Sequence, residues 1–216
     1  MEQNPRLGTC SGKPFFPGPR NQEGSFDGPL ISEACGDEMS VGMAKFYRRE
    51  CFEAIGGFVR EVMWDGIDCH RCRMLGWVAE SYNDFELRFL HLRPMGSSEK
   101  GIVNGRIRHG YGQWFMGTSP SYMLASAGYR MLRPPYVTGG LAMAYGYFRS
   151  WLTGQARYPD ESFRKFLHVY QRRCLMQGKS KTVANLNLAG ASIWASRQTR
   201  NEHRVDSASS AIPAST

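Results

Sequence analysis

The stretch FEAIGGFVREVMWDGIDCHRCRMLGW, residues 52–77, decides how this sequence is interpreted. Residues 50–55 precede two glycines and read as a short helix, because glycine commonly follows the last helical residue. A second helix is predicted over 65–75, opened by Asp65 or Asp68, since aspartate is a strong N-cap and suits the positive end of the helix dipole. Residues 86–94, ELRFLHLRP, read as a strand that ends at a proline.

The cysteines of this stretch raise the question of a metal or redox site. Cys69 and Cys72 have the spacing of a zinc knuckle, but no second ligand pair accompanies them, because the other four cysteines are scattered singly. A redox pair would have its first cysteine at a helix start. We interpret both as small apolar packing residues, and we expect reduced thiols because the N-terminus lacks a secretory signal.

The composition indicates a folded, basic protein. Of 216 residues, 42% are hydrophobic, and 27 Lys and Arg against 19 Asp and Glu give a formal charge of +8. Such a charge suits a phosphate-bearing ligand, a nucleic acid or an anionic membrane surface, and does not choose among them. We expect no nucleic-acid partner, because no helix-turn-helix, zinc-finger or RNA-binding signature is present. The basic nucleic-acid-binding module stays as the weakest alternative.

The stretch 52–77 resembles the family 2 glycosyltransferases of the GT-A fold, in the form found in exopolysaccharide assembly. The shared pattern is a Gly-Gly-Phe turn, an acidic motif, a helix, and an aromatic residue after a glycine. It implies an α/β fold and inverting transfer from a nucleotide sugar to a lipid-linked or saccharide acceptor, in the cytoplasm at the inner face of the membrane. The resemblance covers about residues 6–180. Trp64 replaces the usual glutamate, and Asp68 lies one place past the usual second acid.

The resemblance assigns roles to three further positions. Asp65 matches the general base that deprotonates the acceptor hydroxyl, although a plain helix cap would look the same in sequence. His91, at the end of the predicted strand, matches a ligand of the divalent metal, Mg or Mn, that bridges the donor diphosphate. Gly42 matches the glycine of the sugar site, where a ligand approaches the backbone closely.

Residues 105–120 bring basic and aromatic side chains together. Such a composition suits a diphosphate and a stacked sugar ring, so we expect substrate-binding roles here. A solvated basic loop is the alternative. The candidate residues are Arg106, Arg108, His109, Gln113 and Trp114.

The domain organisation is predicted from the composition of each segment and from the same resemblance. Residues 1–40 read as a loop-rich segment, 41–133 as the C-terminal half of a GT-A domain, 134–182 as an amphipathic or interfacial helical region, and 183–216 as a helix remnant with a disordered tail. Within the third segment, residues 160–177 form an amphipathic basic helix that either packs on the domain or lies on anionic lipid.

The expected fold is therefore an incomplete, nucleotide-diphospho-sugar transferase-like α/β domain with additional C-terminal helices. No Asp-x-Asp, the motif that binds metal and donor in this family, occurs in the chain. We expect little turnover by the chain alone. The alternative is a non-enzymatic partner or remnant that binds the acceptor or a nucleotide-binding half. The sequence does not predict an oligomeric state.

Overall fold

The computed structural model describes residues 1–16, 31–32, 36–92 and 100–209. Strands and helices alternate only in the first part of the chain, and long helices follow. The strands are β1 Leu7–Gly12, β2 Pro14–Phe16, β3 Ile31–Ser32, β4 Lys45–Tyr47, β5 Val78–Tyr82 and β6 Phe89–Leu90. The helices are α1 Arg49–Ala54, α2 Trp64–Met74, α3 Ile102–Met116, α4 Pro120–Met131, α5 Thr138–Leu152, α6 Glu161–Gln177 and α7 Lys179–Ser209.

The strands form two small mixed sheets, with the orders β4-β1-β5 and β3-β2-β6. In the first sheet β1 runs antiparallel to β4, with Thr9 opposite Tyr47, and parallel to β5, with Leu7 opposite Val78. In the second, β2 runs antiparallel to β3 and parallel to β6. The predicted α/β class is thereby confirmed.

The central strand β1 lies in the segment that we predicted to have little regular structure, and for this strand the prediction was wrong. Its small residues allow helix α1 to pack closely against the strand: a side chain at Gly8 would meet the sulfur of Cys51, a residue of α1, at 2.4 Å. The Thr9 hydroxyl lies 3.0 Å from the hydroxyl of Ser40, and both residues are buried. Glycine, serine and threonine are therefore core residues in this strand, although they resemble loop composition.

Helices α1 and α2 lie where the sequence predicted them, but the start of α2 differs in detail. Its N-cap is Met63, with a left-handed φ of 69°, and Asp65 lies in the first helical turn. Asp68 lies one turn further on and is buried. Neither aspartate is the N-cap, so the capping prediction was wrong for both.

The amphipathic helix predicted over 160–177 is confirmed as α6. Asp160 caps it, because its Oδ1 accepts a hydrogen bond of 2.9 Å from the Phe163 amide. The apolar face of α6 packs in the core around Ile67 and Met116. The alternative in which this face lies on lipid is therefore excluded. The buried residues of the face are Phe163, Leu167, Tyr170 and Cys174.

Helix α3 replaces the loop that we considered for residues 105–120. It packs against α5 at backbone distance: a side chain at Gly110 would lie 2.0 Å from the Met143 carbonyl oxygen, and one at Gly146 would lie 2.1 Å from that of Ile107. The strand predicted over 86–94 is reduced to β6, because residues 85–87 form a 3₁₀ turn. Residues 93–99 lie outside the described part of the chain.

Helix α7 packs against the turn between α2 and β5. Trp194 packs edge-on against Trp77, with ring centroids 6.2 Å apart, and Arg197 donates to the Leu75 carbonyl. The helix continues to Ser209, so the prediction of a disordered tail after Trp194 was wrong up to that residue; 210–216 lie outside the description. Among the described helices, none combines the length and apolar character needed to cross a bilayer.

Candidate functional site

The first turn of α2 presents Asp65 at the surface. Its Oδ1 accepts a hydrogen bond of 2.9 Å from the Gly66 amide, while Lys45 donates to the Asp65 backbone carbonyl at 3.0 Å. The second carboxylate oxygen has no hydrogen-bond or ion-pair partner among the described residues. A half-exposed carboxylate with one oxygen available is suited to accept a proton from a bound hydroxyl group.

Gly42, the glycine assigned to the sugar site, lies directly against this turn. A side chain at Gly42 would lie 2.8 Å from the Trp64 ring and 3.4 Å from the Asp65 Cβ. The contact leaves no room for a methyl group, so the glycine is required here by close approach. The structure thus brings together Gly42 and Asp65, which are 23 positions apart in the sequence.

A groove of about 470 Å³ opens beside Trp64, and we name it the Trp64 groove. Trp64 is held in place by Phe58, whose ring meets it edge-on with centroids 5.1 Å apart. Arg108 of α3 is exposed and brings a positive charge to the groove. The groove is lined by Phe58, Val59, Arg60, Glu61, Val62, Trp64 and Arg108.

A buried polar cluster lies beneath Asp65, and sequence reasoning missed it. The Tyr47 hydroxyl donates to Asp68 Oδ2 at 2.5 Å, and Lys45 Nζ lies 3.8 Å from the same oxygen. The Lys45 ammonium also lies 5.1 Å and 5.3 Å from the ring centroids of Tyr47 and Trp64. The sequence contained one signal for this cluster. Residues 45 and 47 are two positions apart in a strand, so their side chains lie on the same face and can both reach Asp68.

Burial sets the protonation preferences of this cluster. It raises the pKa of Asp68, and the Tyr47 hydroxyl and the Lys45 charge offset that effect only in part. The pKa of Tyr47 is also raised, first by burial and then by its hydrogen bond to Asp68. The Tyr47 phenol therefore stays protonated and acts as a donor. The cluster fixes strand β4 to helix α2 beneath the Asp65 carboxylate.

His109 and Gln113 open on a different cleft from Arg108, because consecutive helical residues point about 100° apart. Their Nε2 atoms lie 3.3 Å apart, and Gln113 Oε1 accepts from the Thr118 hydroxyl at 2.6 Å. The pKa of His109 is lowered to about 4 by burial and by the charges of Arg106 and Arg130. The imidazole is therefore neutral near pH 7. We name this cavity, of about 670 Å³, the Arg130 cleft.

Arg106 and Trp114 do not reach either cavity wall. Arg106 is buried within α3, and Trp114 lies in the cluster formed by α3, α4 and α5. The indole N–H of Trp114 donates to the Gln155 carbonyl at 2.9 Å, and the Arg157 guanidinium lies 4.7 Å from the ring centroid. The helix thus separates the five candidates of residues 105–120 into three locations.

His91 lies at the end of β6, where its backbone amide donates to the Phe15 carbonyl at 2.8 Å. In the described part of the chain, no group of three or more His, Cys, Asp or Glu side chains has the arrangement of a metal site. The cysteines pack as predicted: Cys51 and Cys72 are buried with their sulfurs 3.3 Å apart, and the Cys69 sulfur lies 3.3 Å from the Ser40 hydroxyl.

The described residues therefore place two cavities next to α3. One is lined by Trp64, the residue before Asp65, and the other contains the neutral imidazole of His109. Comparison with known proteins adds no assignment: no protein-family model matches the chain, and no match was found among the curated proteins or the solved structures.

Proposed function

We propose that this chain carries the acceptor side of an inverting glycosyltransferase of the family 2, GT-A type. The observation that carries the proposal is the available carboxylate oxygen of Asp65 in the first turn of α2, against Gly42 and directly after Trp64, which lines the groove. The resemblance of residues 52–77 to that family gives the same carboxylate the role of base. Sequence pattern and geometry thus support one residue independently.

In this mechanism the acceptor sugar lies in the Trp64 groove, where an aromatic ring and the Arg108 guanidinium can contact its ring and hydroxyl groups. Asp65 accepts the proton of the attacking hydroxyl group. The oxygen then forms a bond to the anomeric carbon of the donor sugar, and the nucleoside diphosphate leaves from the opposite face. Configuration at that carbon is inverted, because a single displacement takes place.

The nucleotide-sugar donor and the divalent metal are implied by the family resemblance alone. The family binds a nucleotide sugar with Mg or Mn, and His91 is the residue that matches a ligand. In the described part of the chain, the residues around His91 form no metal-binding group. The proposal therefore concerns acceptor activation by Asp65.

The test is an Asp65→Asn substitution in an assay that supplies any component the chain lacks. Purified chain is added to membranes of the source organism in which its own gene has been deleted. Transfer of radiolabelled sugar from a panel of nucleotide sugars is then measured with Mg²⁺ or Mn²⁺. We expect transfer to fall by about 10² to 10⁴-fold, the usual contribution of a general base.

Asp84→Asn is the matched control, since Asp84 is an exposed acid outside the Trp64 groove. It should transfer sugar at the unsubstituted rate. Both variants should melt at the unsubstituted temperature, because the lost interaction of Asp65 is one local hydrogen bond. Equal transfer by Asp65→Asn and the original chain would refute the proposal and favour a non-enzymatic partner role. No transfer with the original chain would also refute the proposal.

We also propose that helices α4 and α5 rest on an anionic membrane surface. Residues 102–159 contain six arginines and no aspartate or glutamate. The connection between the two helices exposes Leu132 and Tyr136, at 76% and 65%. On α5, Leu141, Tyr145 and Leu152 recur at helical spacing and are also exposed. Apolar side chains among arginines suit the interface of an anionic bilayer, where a lipid-linked acceptor would be found.

Vesicle sedimentation tests this contact. We expect the double variant Leu141→Ser and Leu152→Ser to bind phosphatidylglycerol-containing vesicles about tenfold less well, because two apolar side chains are lost from the interface. Leu188→Ser on α7 is the control, since Leu188 is equally apolar and exposed on another helix. If both variants bind like the original chain, the α4–α5 surface does not contact lipid.

A further inference from the structure

The Arg130 cleft has a composition that the sugar-transfer mechanism does not use. It lies between α3, the end of α4 and the first turn of α7. His109 and Gln113 form one side, Ser126 and Arg130 a second, and Lys179 with Ser180 the third. Exposed Arg133 lies at its margin.

Two guanidinium groups, those of Arg130 and Arg133, line this cleft, and neither forms an ion pair with a described carboxylate. Arg130 is half-buried, and its pKa is lowered first by burial and then by the charge of Arg133. Arg133 stacks on Tyr129, with its guanidinium carbon 4.7 Å from the ring centroid. The ion pairs of the described residues include neither arginine. An anion placed between two neighbouring positive charges would relieve their repulsion.

Among the described residues that line the cleft, the one acid, Glu38, is already neutralised. Glu38 forms an ion pair with Lys179. Burial raises the pKa of Glu38, but the charge and hydrogen bond of Lys179 outweigh it and the net pKa is lowered. Glu38 and Lys179 thus contribute no net charge, and the two arginines determine the sign of the cleft.

The remaining polar groups are neutral hydrogen-bonding groups. Ser126 and Ser180 present hydroxyls, and Ser180 belongs to the first turn of α7, where the helix dipole is positive. His109 is neutral near pH 7 and adds no charge. Two arginines, hydroxyl groups and a helix N-terminus form the usual set of groups that bind phosphate in proteins.

We propose that the Arg130 cleft is a phosphate-binding site, in which Arg130 and Arg133 bind the anionic oxygens and Ser126 and Ser180 donate hydrogen bonds. The phosphate belongs either to a soluble compound or to a lipid headgroup at the membrane surface. The site is separate from the Trp64 groove and does not depend on the role of Asp65.

The experiment measures binding of two probes to the full chain. Inorganic pyrophosphate is titrated by calorimetry, and vesicles of phosphatidylcholine with phosphatidic acid are tested by sedimentation against pure phosphatidylcholine. The double variant Arg130→Gln and Arg133→Gln should weaken the binding by about tenfold or more, because charged hydrogen bonds are lost. Saturable pyrophosphate binding identifies a soluble ligand, and binding of the acidic vesicles alone identifies a headgroup; either supports the site.

Arg172→Gln with Arg173→Gln is the matched control, because it removes two adjacent exposed arginines from α6. This variant should retain the original affinity for both probes. If the double variant fails to fold, Arg133→Gln is measured alone, because Arg133 is exposed and its substitution should leave the fold intact. Equal weakening by the control pair, or no binding of either probe by the original chain, would overturn the proposal.

Discussion

At the residue scale, two aspartates three positions apart have opposite surroundings. Asp65 lies at the surface with one carboxylate oxygen available, whereas Asp68 is fully buried beneath it. The resemblance assigned roles to both Asp65 and Gly42, which lie against each other in the structure, and those roles stay predictions. The role of Asp68 was not predictable, because its partners Tyr47 and Lys45 come from a strand about 20 positions earlier.

Asp68 gives a testable dependence of stability on pH. Its pKa is raised by burial above the ordinary value of 3.8, so the native state binds this proton more tightly than the unfolded chain. Its contribution is fully present below the unfolded pKa and is lost as the pH rises through the raised native pKa. Asp68→Asn, which cannot ionise, should remove this decline. The measurement is the free energy of unfolding in urea at several pH values.

The control for this prediction is Asp84→Asn, which removes an exposed carboxylate and should keep the pH profile of the original chain. A profile that declines equally steeply in Asp68→Asn would show that another group titrates in that window.

At the element scale, local signals located some helices and misidentified others. Asp160 as an N-cap, followed by apolar residues at helical spacing, predicted α6 almost to the residue. Helix α3 was not predicted, because Gly105, Gly110 and Gly112 resemble a loop in sequence. The small size of Gly110 and Gly112 is needed for contact with other elements, and that requirement is visible only once the elements are assembled.

The contact between α3 and α5 predicts a large difference between two glycine substitutions. Gly110→Ala would force a methyl group into the Met143 carbonyl, so we expect it to lower the free energy of unfolding by about 1–3 kcal/mol or more. Gly128→Ala on α4 meets no atom within 4 Å and should instead stabilise the chain by roughly 0.5–1 kcal/mol. Thermal or urea unfolding of both variants provides the comparison. Similar stabilities would mean that the helices are not in backbone contact.

At the scale of the whole molecule, the sequence indicated an α/β fold with appended helices, and the structure agrees with that description. It did not indicate that α7 packs against the turn between α2 and β5. Gly76, with φ 82°, contacts the backbone of α7 at Gly190, and Arg6 donates to the carbonyls of both Gly76 and Asn187. The two contacts of Arg6 join residues 70 and 181 positions apart, so no local pattern encodes them.

The acid-free stretch 102–159 has a charge that cannot be titrated under ordinary conditions. Its cations are arginines, which stay protonated, and its one histidine has a pKa of about 4. Binding of anionic vesicles should therefore stay constant between about pH 6 and 9 and weaken as salt screens the charges. Vesicle sedimentation over a series of pH values and a series of salt concentrations measures this dependence. A loss of vesicle binding at the higher pH would contradict the prediction. The proposed attachment through this surface would therefore be constitutive, and high ionic strength or a competing polyanion would release it.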